Sequence, residues 1–104
     1  MKIETADLKA SADDACALLK ALANPHRLMI VCSLIDGERC VGDLAAVLGV
    51  RETLASQHLA LLRREGIVSA RRDGQTIHYA LTSGRARAVV ETLSRLFCSV
   101  DQDR

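Results

Sequence analysis

The sequence predicts a mainly α fold with a β-hairpin wing: a winged helix-turn-helix that dimerises through its first and last helices. Three observations predict it. Five segments carry apolar residues at helical spacing, most of them with starting and stopping residues at their ends. Two of these segments, residues 41–48 and 53–65, are separated only by Gly49, Val50, Arg51 and Glu52, the tight connection of a helix-turn-helix. Beyond residue 66 the hydrophobic period shortens, giving two strand-like runs around Asp73-Gly74-Gln75. At 104 residues the chain has room for one core, so residues 1–104 are read as one domain.

The first helix is expected over residues 5–22, with Leu8, Ala12, Ala15, Cys16, Leu18, Leu19 and Leu22 on its apolar side and Asp13, Asp14 and Lys20 opposite. Asn24-Pro25 then starts a second helix, because Asn can accept from free amides and Pro at the first helical position loses no bond. This helix, running to about residue 36, is apolar nearly all round and is read as the central buried one, ended by Gly37. Residues 41–48 form a short helix that Gly49 closes. Residues 53–65 form the next, with Leu54, Leu59, Leu61 and Leu62 inward and Ser56, Gln57, Arg63 and Arg64 outward, until Gly66. The wing occupies residues 67–82, as runs 67–72 and 76–82 about the Asp-Gly turn. Ser83 caps a last helix over residues 84–100, whose stripe is Ala86, Val89, Val90, Leu93, Leu96 and Phe97.

Composition removes several classes of function. Aromatic residues make up 2% of the chain, too few for a base-stacking single-strand binder or an aromatic-cored sandwich. No run reaches the length of a membrane span, and Met1, Lys2, Ile3 and Glu4 do not open a secretion signal, so a cytoplasmic, membrane-free protein is expected. The net charge of +1 hides an asymmetry. Residues 1–50 hold five cations and seven acids, whereas residues 51–104 hold nine arginines, no lysine and six acids. Arginine's planar fork of donors suits phosphates and guanine edges, so the second half is a candidate double-stranded DNA surface.

On that surface Thr53, Ser56, Gln57 and His58 occupy the first two turns of the proposed recognition helix. Gln pairs with adenine in bidentate fashion and hydroxyls reach bases or phosphates; His58 reads equally well as a half-buried histidine. Arg63, Arg64, Arg71 and Arg72, at the helix end and in the wing, are placed to hold backbone phosphates. Both terminal helices carry more apolar surface than one small interior can absorb, which implies a two-fold dimer reading an inverted repeat. Catalysis finds no footing: there is no Gly-rich phosphate loop, and His26, His58 and His78 lie in different elements. No cofactor is expected.

Four cysteines in a reducing compartment are read as fillers, ligands or redox switches rather than a disulfide framework. Cys40 lacks the companions a metal site needs, and no metal ligands are assigned. Helical projection puts Cys32 on the face of Leu28, Val31 and Ile35, where by itself it reads as a core filler. Cys98 falls off its helix's apolar stripe and has no packing duty there; Arg95 favours its thiolate and the helix terminus opposes it.

Four segments together resemble the ArsR/SmtB repressors over roughly residues 15–98. They are Leu22-Ala23-Asn24-Pro25-His26-Arg27-Leu28, Val41-Gly42-Asp43-Leu44-Ala45, the run from Ser56-Gln57-His58-Leu59 to Gly66-Ile67-Val68, and the wing from Arg71-Arg72-Asp73-Gly74 to Tyr79-Ala80-Leu81. The resemblance implies a dimeric winged-helix repressor that leaves its operator when an inducer lowers DNA affinity. Arg51 stands where the family has a capping Ser or Thr, and Cys40 matches only the first cysteine of an arsenic-sensing Cys-Val-Cys, Gly42 replacing the second. Cysteine placement is similar to that of the family's SqrR/BigR persulfide-responsive group. That likeness implies that reactive sulfur species, persulfide or polysulfide, crosslink Cys32 and Cys98. Arsenite, metal or general oxidant sensing remain alternatives within the family, and a constitutive DNA-bending module is an alternative outside it.

Overall fold

Asn24 shows how the chain builds its helices. In the computed structural model, which describes residues 4–98, its side-chain oxygen accepts from the backbone N–H of His26 (2.9 Å) and Arg27 (3.2 Å). With Pro25 at the first position, this fixes where one helix ends and the next starts. The order is α1 (Thr5–Leu22), α2 (Pro25–Leu34), β1 (Arg39–Cys40), α3 (Val41–Leu48), α4 (Glu52–Arg64), β2 (Val68–Asp73), β3 (Thr76–Leu81) and α5 (Gly84–Phe97). Five helices and a wing match the expected class. Among the described residues no helix is long and apolar enough to cross a membrane.

The boundaries differ in small ways. α2 stops at Leu34, two residues before the expected end, and α4 starts and stops one residue early. α5 ends at Phe97, with Cys98 as its capping residue; residues 99 and 100 of the expected helix lie outside the described residues. The sequence also hides a third strand. β1 pairs antiparallel with β3, giving the order β1-β3-β2, with Cys40 opposite His78 and Arg39 opposite Tyr79. In the wing itself Asp73 faces Thr76, which leaves Gly74-Gln75 as a two-residue turn, and Gly74 supplies the left-handed φ of +65° that such a turn needs.

The core is drawn from every helix: Leu22 of α1, Ile30, Val31 and Leu34 of α2, Leu44 of α3, Leu59 and Leu62 of α4, and Val90 of α5, joined by Ile67, Val68 and Tyr79. Each large aliphatic side chain sealed there contributes about 1.5–3 kcal/mol of transfer free energy. Ile67 locks the wing to the helices. Its N–H donates to the Leu62 carbonyl at 2.9 Å, and its own carbonyl accepts from the backbone N–H of Thr82 at 3.0 Å. Ser83 then accepts from the Ala86 N–H at 3.0 Å and starts α5 as its sequence position predicts.

Apolar surface is left over on the terminal helices. Leu8 and Leu19 of α1 are 56% and 55% exposed, and Leu96 and Phe97 of α5 are 69% and 80% exposed. One chain therefore cannot fill both stripes by itself.

Candidate functional site

α4 has an inner and an outer side, and the inward reading of Leu54 is corrected: it is exposed, and Ala55 next to it takes the buried place. Ala55, Leu59 and Leu62, at helical spacing, are buried, so the rows between them must point outward: Thr53, Ser56, Gln57, Ala60, Arg63 and Arg64 are all exposed. The outward row thus runs from hydroxyl and amide groups in the first two turns to two arginines in the last. Those arginines also sit favourably at the negative end of the helix dipole. Gly49, at a left-handed φ of +71°, closes α3 and turns the chain into α4. The Arg51 side chain makes no capping hydrogen bond at the start of α4.

His58 turns the other way. It is half-buried, its Nε2 lies 3.4 Å from Nδ1 of His26, and the rings meet edge to face with centroids 5.3 Å apart. Burial holds its pKa below the usual histidine value, assisted by the charges of Arg27 and His26. Two histidines that sequence places 32 residues apart therefore join the start of α2 to the middle of α4.

The wing arginines are not equivalent. Successive strand residues point to opposite faces, so Arg71 and Arg72 project to opposite sides of the sheet. Arg71 donates through Nε and Nη2 to Glu38, at 3.1 and 2.7 Å. This fork holds the Glu38 carboxyl below the usual carboxylate range and raises Arg71. Three other arginines serve the scaffold by donating to carbonyls at helix ends. Arg27 Nε reaches Ala21 at 2.6 Å, Arg39 Nε reaches Ser33 at 2.8 Å, and Arg87 Nη1 reaches Ile35 at 3.3 Å. Sequence reasoning counted charges and had no signal for which arginines helix ends would occupy.

All four cysteines are free thiols. Cys32 and Cys98 line one recess of about 180 Å³, walled by Leu28, Val90, Leu93, Ser94 and Phe97. The reading of Cys32 as a core filler is corrected here: it lies at the exposed rim of α2, one position past buried Val31. The cause is the helix's nearly uniform apolarity, which leaves projection no polar face to fix the inward direction. Although the residue as a whole is exposed, its thiol faces the recess, and desolvation there pushes its pKa up, with the neighbouring Cys98 adding to the rise. Cys98, beyond the last turn of α5, has an extended-side φ of −121° and stays tied to the helix by its N–H to the Ser94 carbonyl at 2.8 Å. Cys40 sits half-buried at the start of α3, and Cys16 is exposed on α1. Among the described residues no group of three or more His, Cys, Asp or Glu gathers to hold a metal ion.

A helix pair presenting one exposed polar row, followed by a two-stranded wing whose sheet is completed by β1, defines a winged-helix DNA-binding regulator. Residues 24–70 match the model of the bacterial regulatory proteins of the arsR family. The chain is 43% identical over 96 residues to the transcriptional activator HlyU of Vibrio cholerae, covering 92% of this chain and 89% of that protein. Its fold superposes on the crystal structure of the transcriptional repressor BigR from Xylella fastidiosa with a TM-score of 0.87 at 40% identity, covering 92% of this chain and 98% of the other. A homodimeric winged helix-turn-helix domain of Mb0332 from Mycobacterium bovis, solved by NMR, gives a TM-score of 0.74 at 29% identity over 98% of this chain and 94% of that one. The chain belongs to the arsR family: it is a transcriptional regulator and not an enzyme.

Proposed function

We propose that the chain is a homodimeric repressor that holds an inverted-repeat operator through α4 and the wing, and releases it when reactive sulfur species crosslink Cys32 to Cys98. In this reading Thr53, Ser56 and Gln57 contact base edges, Arg63, Arg64, Arg71 and Arg72 contact phosphates, and His58 supports the recognition helix from its inner side. The exposed stripes of α1 and α5 join two copies in this reading, and the similar Mb0332 domain is homodimeric. Two recognition helices about 34–36 Å apart then meet successive major grooves.

The observation that carries the inducer half is the shared recess of the two thiols. The chemistry balances without a metal. One cysteine takes the outer sulfur of a persulfide R–S–SH, releasing R–SH and leaving a protein persulfide. The second thiol attacks the inner, cysteine-bound sulfur and expels hydrogen sulfide, so that two thiols become a disulfide as the donor is reduced. Because α2 packs against both α5 and α4, a bond drawn between Cys32 and Cys98 is felt at the recognition helix. A coupling of about 1–3 kcal/mol weakens DNA binding about 5–150-fold, enough for induction. HlyU is named an activator and BigR a repressor, a difference that operator position relative to the promoter can produce from one DNA-release step.

Operator binding measured before and after glutathione persulfide tests the reading. Release by persulfide is expected in the unmodified protein and is lost in Cys32→Ser and in Cys98→Ser; release that survives either substitution overturns the dithiol assignment. Intact mass separates the inducers. Added sulfur marks retained sulfane bridges, loss of two hydrogens marks a plain disulfide, and a response to hydrogen peroxide alone favours general oxidant sensing.

A further inference from the structure

The Arg71 fork has a role of its own. Arg71, His78 and Cys40 stand in one row across the three strands, since Arg71 pairs with His78 and His78 with Cys40. Glu38 precedes β1 by one residue, on the far side of β3 from Arg71. To meet, the two side chains must bridge two strand spacings, about 10 Å, over β3. They do so in bidentate geometry, at 2.7 and 3.1 Å, with both groups exposed to solvent. The base of Glu38 is anchored, because its neighbour Arg39 is paired with Tyr79 in the sheet and bonded to the Ser33 carbonyl at 2.8 Å.

We infer that Glu38 is an internal competitor for DNA phosphate: its carboxylate occupies the phosphate-binding edge of Arg71 and must be displaced before the wing can grip a duplex. This rests on the proposed DNA-binding reading, in which Arg71 is a phosphate contact. A carboxylate and a phosphate present the same pair of acceptor oxygens to a guanidinium, so one fork cannot serve both. The pair is exposed and therefore weak, which is what a displaceable contact requires. It holds back every duplex regardless of sequence, and so limits unspecific binding without altering base readout by α4.

Binding of a fluorescein-labelled random-sequence duplex, followed by anisotropy over a range of salt, tests this with four proteins: the unmodified chain, Glu38→Gln, Arg71→Gln and the double variant. Glu38→Gln is expected to tighten binding about two- to five-fold at low salt, as the loss of an exposed ion pair allows, and the gain shrinks as salt rises. In the Arg71→Gln background the same change is expected to give no gain. An equal gain in both backgrounds marks simple long-range repulsion and overturns the competitor role. Weaker binding by Glu38→Gln shows instead that the bridge props the wing in its DNA-ready position, which also overturns it. Failure of the unmodified chain to bind any duplex overturns the DNA-binding reading itself, and the competitor role with it. Should Glu38→Gln not fold, NMR of the Arg71 Nε–H in the unmodified chain decides: its signal is expected to shift on adding duplex, and an unmoved signal in the complex overturns the exchange.

Discussion

Cys32 is a thiol whose surroundings discourage ionisation. Its recess is walled by Leu28, Val90, Leu93 and Phe97, and Cys98, another thiol, lies beside it. Desolvation contributes most and Cys98 adds to it, both acting to keep Cys32 protonated. Under the proposed thiol-sensing function the consequence is selectivity: with little thiolate at neutral pH, slow electrophiles are resisted, while a reactive sulfur donor meets a second thiol already in place. The alkylation rate of Cys32 by iodoacetamide, resolved by peptide mass spectrometry, is therefore expected to inflect above the ordinary thiol value of about 8.5. In Cys98→Ser the inflection moves down, because one of the two causes is gone, yet stays above that value because burial remains. An inflection at the ordinary value, or one unmoved by Cys98→Ser, contradicts this account. The sign for stability follows. A folded-state pKa that is raised contributes stability fully present below the unfolded thiol's pKa, and that contribution is lost as pH rises through the folded value, so it fades only on the alkaline side.

Helix ends explain what was legible in the chain and what was not. Asn24-Pro25, Gly49 and Ser83 each mark a boundary by their own chemistry, and the structure uses all three as caps. Most of the outward row of α4 was legible for the same local reason, since Leu59 and Leu62 fix its inner side, but the inward place read for Leu54 belongs to its smaller neighbour Ala55. β1 was not, because two residues carry no period and its pairing partner lies 38 residues further on. Nor were the Glu38–Arg71 and His26–His58 contacts, which join residues more than 30 positions apart and leave no trace in local pattern. One departure visible in sequence does have an energetic reading. Arg51 stands at the N-cap of α4 with extended backbone, φ −70° and ψ 151°, but makes no side-chain cap. Ser at that position can accept an N–H of the first turn, and a good cap is worth about 0.5–2 kcal/mol. Arg51→Ser is thus expected to raise the urea midpoint by an amount equivalent to about 1 kcal/mol without changing the slope. A lowered midpoint would show that the arginine stabilises the helix start by a route other than capping. Any loss of DNA affinity in the same variant reports the removed cation, not a weakened helix.

At the scale of the molecule, the proposed dimer makes the exposed leucines and phenylalanine of the two terminal helices decisive for DNA binding. A single recognition helix with a handful of phosphate contacts grips DNA weakly and with strong salt dependence. Joining two copies makes the second engagement intramolecular, and such linkage raises affinity by about 10²–10⁴ when the spacing fits. The four exposed side chains Leu8, Leu19, Leu96 and Phe97 belong to the two longest helices, which bury little for their length within one chain: α1 has only Ala21 and Leu22 inside, and α5 only Ala86 and Val90. A charge placed among them tests this. Leu19 is chosen because it lies outside the thiol recess and outside α4, so neither sensing nor base readout is touched directly. Leu19→Glu is expected to convert a dimer into a monomer by sedimentation. It should also make the unmodified protein's concentration-dependent Tm concentration-independent in the variant, and lower affinity for an inverted repeat far more than affinity for a single half-site. Equal loss on both DNAs would mean the substitution damaged the fold. A variant that remains dimeric with unchanged affinity would mean that the surplus apolar surface of α1 does not hold the two copies together, and that another face carries the pairing.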